Sequence, residues 1–272
     1  MKIRFLYIIA CALCLASFTA CTTNPVTIDN SFKKYFDDNK VNGCFGLWDN
    51  LDNHFTIYNM QRFRDSAYLP ASTFKVVNAL IAIGTGRIFS DTVVLKWDGI
   101  VRSRPEWNKD MDMREAFKLS NVGYFQDVAR RIGKDTMQMM LDSLKYGTRK
   151  ITGPVDSFWL NNTLKITADE QMGLMKKLYF KQLPFQRREQ DIVKSMMLRE
   201  NNANYKLSYK TGWGNLPDGK SLGWIVGWIE ENAHVYFFVL NCTGTPDADL
   251  TNVRMNILKG ILSQQGFFQG KK

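Results

Sequence analysis

Ser72 and Lys75 stand three residues apart in YLPASTFKVVNALIAIGTG, residues 68–86, and Lys75 is the single charged side chain of that stretch. Burying an ammonium group is costly, so a lysine in apolar company has its pKa driven below the ordinary value of about 10.4. Residues i and i+3 of a helix share a face. A helix beginning at Ser72 therefore sets a hydroxyl beside an amine able to accept its proton, the pairing of a nucleophile with its base. The first N–H groups of that helix point outward with about half a positive charge, which favours an oxyanion forming beside the Ser72 oxygen. S-x-x-K alone carries little information, since a chain of this length holds roughly one by chance. A second copy, Ser31-Phe32-Lys33-Lys34, lies in a charged N-terminal helix. What separates Ser72–Lys75 is its neighbours Phe74, Val76, Val77, Leu80 and Ile81, which leave the lysine no solvated face.

Two further clusters have reactive or anion-binding composition. Lys210-Thr211-Gly212 closes a strand-like run, and Gly212-Trp213-Gly214 lets backbone approach a ligand. The lysine and threonine suit a carboxylate, while the strand edge can pair with a peptide-like substrate. Ser120 ends the helical run DMREAFKLS and offers a second hydroxyl for moving a proton. Other chemistries lack their parts. His54 and His234 both fall near turns, not beside a nucleophile. No set of ligands has zinc spacing, so no metal is expected. Neither a dinucleotide fingerprint nor a phosphate loop is present.

The elements that position these residues follow from periodicity. GCFGLWDN and HFTIYNM read as strands joined by NLDN. Pro70-Ala71 introduces the Lys75 helix, which ends near Gly84-Thr85-Gly86. Residues 90–200 read as mostly helical, with Asp112/Glu115 and Thr167/Glu170 as N-cap and box partners. NYKLSYKTGW, SLGWIVGWIE and VYFFVLNC read as three strands. The second puts Trp224, Val226 and Trp228 on one face and Ile225 and Ile229 on the other. A helix from Asp249 to Gln265 follows. The expected fold is mixed α/β, an antiparallel sheet built from both chain ends and flanked by helices, with a helical subdomain inserted at about 90–200.

Ser72-x-x-Lys75, Ser120-x-Val122 and Lys210-Thr211-Gly212, in that order, resemble the serine penicillin-recognising enzymes. STFK, SNVGYFQ, Tyr146-Gly147-Thr148, FWLNNTLKI at 158–166 and KTGW narrow the resemblance to the class D β-lactamases, the oxacillinases, over about residues 43–266. The resemblance implies a serine β-lactamase/transpeptidase-like fold and a β-lactam substrate, with Ser72 acylated by the lactam carbonyl. It implies that Lys75 carries a carbamate (an N6-carboxylysine), formed from its neutral amine and carbon dioxide, which serves as base in acylation and deacylation; no other cofactor is expected. Trp159 is similar to the indole that hydrogen-bonds the carbamate, and Val122 and Leu160 to the apolar pair shielding it. Ser120 then relays a proton to the leaving nitrogen. The N–H groups of Ser72 and Trp213 form the oxyanion hole, and Lys210, Thr211 and Arg254 hold the substrate carboxylate. On their own, Trp159 is a core tryptophan and Arg254 a surface helix residue. Two positions depart from the family pattern: Thr148 stands where asparagine is usual, altering a supporting hydrogen bond, and Gly123 where an aromatic is common, opening space near the site.

The start of the chain carries an address. Lys2 and Arg4 precede the apolar run FLYIIACALCLASF, with no acid before Asp29. That composition is a secretory signal, shorter than the ~20 apolar residues of a bilayer span. Ala20-Cys21 resembles a bacterial lipoprotein cleavage site, so residues 1–20 are expected to be removed and Cys21 lipidated. Residues 21–40 then form a polar tether leading into a short helix, and residues 41–270 the catalytic domain, in a periplasmic, membrane-anchored protein. Losing Lys2 and Arg4 lowers the net charge from +10 to +8. The remaining cations are scattered, and an exported chain rarely meets nucleic acid, so no nucleic-acid partner is expected. Cys44 and Cys242 lie in strand-like runs and fit either a disulfide or two buried thiols, and nothing in the pattern fixes the oligomeric state. Three other readings compete with a hydrolase: a β-lactam sensor that stays acylated, a cell-wall peptidase, whose middle motif is more often S-x-N, and an envelope lipoprotein with relic motifs. The lone cleavable signal and the intact Ser72, Lys75, Ser120 and Lys210 favour the hydrolase.

Overall fold

The computed structural model describes residues 25–272; the signal segment and Cys21 lie outside the described residues. In chain order the elements are β1 (Val26–Ile28), α1 (Lys33–Asp38), β2 (Asn42–Asp49), β3 (His54–Tyr58) and α2 (Met60–Asp65). Next come a 3-10 turn (Ala71–Phe74) running into α3 (Lys75–Gly84), then β4 (Val94–Leu95), β5 (Met111–Asp112), α4 (Met113–Leu119), α5 (Val122–Ile132), α6 (Lys134–Leu144), α7 (Ala168–Tyr179) and α8 (Arg187–Met196). The chain ends with β6 (Leu198–Asn201), β7 (Lys206–Asn215), β8 (Ser221–Glu231), β9 (His234–Gly244) and α9 (Leu250–Gln264). Seven strands form one sheet in the order β1-β3-β2-β9-β8-β7-β6, antiparallel throughout except for the β1–β3 pair. Both ends of the chain therefore build the sheet, and the helix-rich stretch lies between them in sequence, as expected.

The alternation of β8 decides which layer covers which face. Trp224, Val226 and Trp228 join the core shared with α3, α5, α7 and α8. Ile225 and Ile229 join Ile257, Leu258 and Ile261 of α9 on the other side. Strands β8 and β9 are buried almost from end to end, as a central pair covered on both faces must be.

Two expectations need correction. In the described part of the tether, residues 25–40, the expected short helix is present as α1, but the segment is not free: β1 pairs with β3, and Phe32 and Phe36, one turn apart, sink into the α9 core. Within it the second S-x-x-K motif is a surface feature, with Lys33 paired to Asp37 at 2.6 Å and Ser31 Oγ accepting from Gln264 at 2.6 Å. The Thr167–Glu170 capping box is complete. Asp112 accepts from the Glu115 N–H at 2.8 Å, but the Glu115 carboxylate turns instead to Lys109 at 2.7 Å. Cys44 and Cys242 are both buried and free. Cys242 opposes Gly43 across β2–β9, one residue out of step with Cys44, so the two thiols enter opposite cores.

Candidate active site

The segment that carries Ser72 is held from three directions. The Trp224 indole on β8 donates to Leu69 O at 2.9 Å, Tyr68 bridges to Ile166, and the Ala71 N–H donates to Trp159 O at 3.2 Å. Thr73 Oγ1 donates to Pro70 O at 2.7 Å and accepts from Gln171 at 2.8 Å. Within this clamp Ala71 takes φ +48°, a left-handed conformation that costs a non-glycine residue energy and persists only where its surroundings impose it. The α-helix begins at Lys75, and Ser72 sits in the tighter 3-10 turn before it. In that geometry residues i and i+3 eclipse, and the Lys75 Nζ donates to Ser72 Oγ at 2.7 Å.

Lys75 is 0% exposed and Ser72 9%. Burial, helped by the nearby Arg104 charge, pushes the lysine down to about 7. Near neutrality much of it is therefore an uncharged amine in contact with a hydroxyl. Trp159, whose carbonyl holds the Ala71 N–H, is fully buried and stacked on Phe74 at 5.2 Å. Its Nε1 donor is buried without a hydrogen-bond partner.

Ser120 occupies the seam between two helices. It closes α4 at φ +57°, and Asn121 opens α5 by accepting from the Tyr124 N–H at 3.1 Å. The seam turns Ser120 Oγ toward β7, where it accepts from Lys210 Nζ at 2.9 Å. Lys210 is buried, and burial plus the charges of Lys75, Arg199, Arg254 and Arg104 hold its pKa well below the ordinary range. No acid lines the cavity beside it among the described residues, so an incoming anion meets uncompensated positive charge.

Strand β7 reaches the Ser72 turn because Gly212 has no side chain. A Cβ there would stand 2.9 Å from Pro70 O and 3.3 Å from the Thr73 nitrogen. The Gly212 carbonyl accepts from Arg254 Nη1 of α9 at 2.5 Å. The Arg254 Nε is buried without a partner, and burial lowers its pKa to about 10. Ser72, Ser120, Val122, Thr211, Trp213 and Arg254 line one cavity of about 310 Å³. Leu160, half-buried, packs against the core of the helical layer. The structure thus brings together residues from five separate parts of the sequence.

The two departures from the family pattern have local consequences. Gly147 takes φ +50°, and a Cβ would fall 2.0 Å from Lys165 O, so glycine is required there. Thr148 receives the Lys165 N–H on its hydroxyl at 3.1 Å, which ties this turn to the strip bearing Trp159. Gly123 does not leave open space: the Arg102 guanidinium lies where a side chain would go, 2.4 Å from the would-be Cβ. Ser103, Arg104, Trp107, Lys118 and Thr251 also line the cavity. Sequence reasoning passes over them, because loop and helix-end cations read as solvated.

Residues 26–263 match the penicillin-binding protein transpeptidase domain. The chain is 40% identical to the β-lactamase OXA-48 of Klebsiella pneumoniae over 238 residues, 87% of this chain and 88% of that one. The crystal structure of the class D β-lactamase YbXI from Nostoc superposes with a TM-score of 0.83 at 35% identity, covering 87% of this chain and 99% of that one. The C-terminal domain of the Bacillus licheniformis BlaR penicillin-receptor does so with a TM-score of 0.85 at 30% identity, covering 90% and 98%.

Proposed function

Because this chain belongs to the class D serine β-lactamases, we propose that it hydrolyses β-lactam antibiotics through an acyl-enzyme on Ser72. The observation that carries the reading is the dry 2.7 Å contact between the Lys75 amine and the Ser72 hydroxyl. Ser72 Oγ bonds to the lactam carbonyl carbon, and the oxyanion that forms takes hydrogen bonds from the Ser72 and Trp213 N–H groups. The ring C–N bond then breaks, and the Ser120 hydroxyl, held by Lys210, delivers the proton to the leaving nitrogen. Water cleaves the ester, releasing the ring-opened acid and restoring Ser72. Lys210, Thr211 and Arg254 hold the substrate carboxylate, the arginine through its two-pronged fork.

Carbon dioxide completes the base. A neutral Lys75 amine can bond to it and shed a proton, and Trp159 Nε1 is the buried donor that suits the product. Val122 and Leu160 shield that position from water. The carbamate supplies an anionic oxygen that accepts protons from Ser72 and from the hydrolytic water. Export, removal of residues 1–20 and a lipid on Cys21 at the periplasmic membrane remain part of this proposal, supported by the composition of the first residues.

Sustained turnover of a chromogenic cephalosporin supports the hydrolase. The likeness to the penicillin-receptor domain favours a second reading, a sensor, and one equivalent of acylation followed by no further colour would establish that instead. Activity lost in bicarbonate-free buffer at mildly acidic pH should return on adding bicarbonate. An unchanged rate would reject the carbamate while leaving the serine chemistry in place.

A further inference from the structure

The cavity beside Ser72 carries more positive charge than one carboxylate needs. Arg254 of α9, Arg104 of the loop and Lys118 of α4 line the cavity, and Lys210 on β7 contacts Ser120 at its edge. Among the described residues neither Arg104 nor Lys118 takes part in an ion pair. Neighbouring cations of the same loop are occupied: Arg102 grips Asp98 through both guanidinium nitrogens at 2.6 and 2.9 Å, and Lys96 and Lys109 pair with Asp110 and Glu115.

The loop under Arg104 is fixed. Trp107 Nε1 donates to Leu119 O at 3.1 Å, the residue before Ser120, and the Trp107 N–H closes onto Arg104 O at 3.0 Å. Asn108 holds Arg102 by two backbone contacts, at 2.8 and 3.0 Å. The Arg104 guanidinium then rests over the Trp107 ring, 5.1 Å from its centre. A stacked guanidinium on an anchored loop keeps its donors in a fixed fork, which matches a carboxylate better than a mobile ammonium does. Lys118, in the last turn of α4, already faces the negative end of its own helix.

We propose that Arg104 is a specificity-determining residue that receives a second carboxylate, carried on the side-chain arm of the β-lactam, so that dianionic β-lactams are preferred to monoanionic ones. The inference rests on the hydrolase reading above. The test compares benzylpenicillin with its analogue bearing a carboxylate on the benzylic carbon, in wild type, Arg104→Gln and Arg104→Lys. Gln is expected to lower the dianion-to-monoanion ratio of kcat/KM about fivefold to tenfold, mainly through KM, with the loss shrinking at high salt. Lys should recover only part of that ratio, since it keeps the charge but not the fork. The ratio cancels any effect of Arg104 on Lys75 or on the shared carboxylate, because those act on both substrates. Equal losses on the two penicillins, or an unchanged ratio, would overturn the role of Arg104. A wild type that turns over neither penicillin would instead bring down the hydrolase reading beneath it.

Discussion

The Lys75 amine touches Ser72 Oγ at 2.7 Å in full burial, and that single contact distinguishes the site from any other S-x-x-K sequence. Lys75→Ala should fold, since the change removes a buried polar group hydrogen-bonded to Ser72, but it should lose its base. Acylation is expected to slow about 10²- to 10⁴-fold, and intact-mass measurement should find the acyl adduct persisting; release at the wild-type rate would reject Lys75 as the base. How legible each residue was depended on its neighbours. Ser72, Lys75 and Lys210 announce themselves because a cation inside an apolar run, or beside a threonine and glycine at a strand end, has few structural uses. Trp159 and Arg254 look ordinary in isolation, a tryptophan being a normal core residue and a helix arginine a normal surface one. Arg104 was invisible for a different reason: its meaning comes from facing a cavity 32 residues away from the nucleophile in sequence, and periodicity does not record that.

The site is made at the joints between elements: a 3-10 turn entering α3, the α4–α5 seam and the inner end of β7. Gly212 sets the spacing of the first against the last. Gly212→Ala would push a methyl against the backbone carbonyl of Pro70, so strand and turn must separate. The expected cost is about 1–3 kcal/mol of stability and about a 10- to 100-fold slower acylation, because the Ser72 and Trp213 N–H groups move apart. Gly214→Ala is the matched control, since its methyl would meet the movable end of Leu69 at the same 2.9 Å, so its loss should be several-fold smaller. Equal behaviour of the two variants in melting and acylation assays would remove the spacing argument. The long alternating or apolar runs that became β8, β9 and α9 could be read directly. Strand β1 could not: its three exposed residues bury nothing and exist by pairing with β3. β6 is short, irregular and half-exposed, with a break in its register against β7. The strained φ at Ala71 and Ser120 was also hidden, because residues rarely choose that conformation and only tertiary contacts impose it.

At the scale of the whole molecule, one sheet separates two cores, and this explains the free thiols. Cys44 lies in the core of the helical layer and Cys242 in the core under α9. Burial raises Cys44 to about 12 and Cys242 to about 11, so neither is a reactive thiolate near neutral pH. Protein lacking residues 1–21 and kept free of reductant should show no thiol reactive toward an aromatic disulfide reagent while native, and two after denaturation. A count of zero after denaturation would mean that the cysteines pair and that the sheet does not hold them apart. The surplus positive charge around the cavity belongs to this scale as well, because Lys210, Arg254, Arg104 and Lys118 come from four different segments. Their summed field should draw anionic β-lactams inward and weaken as salt rises.

The central claim is that the fold keeps one amine dry enough to shed its proton beside Ser72. Its most direct test is an NMR titration of lysine side chains labelled at the ε-carbon, in bicarbonate-free buffer, with Lys75 assigned by its loss in Lys75→Ala. The account predicts a midpoint near 7, far below the ordinary 10.5. A Lys75 resonance that titrates with the surface lysines near 10.5 would contradict it.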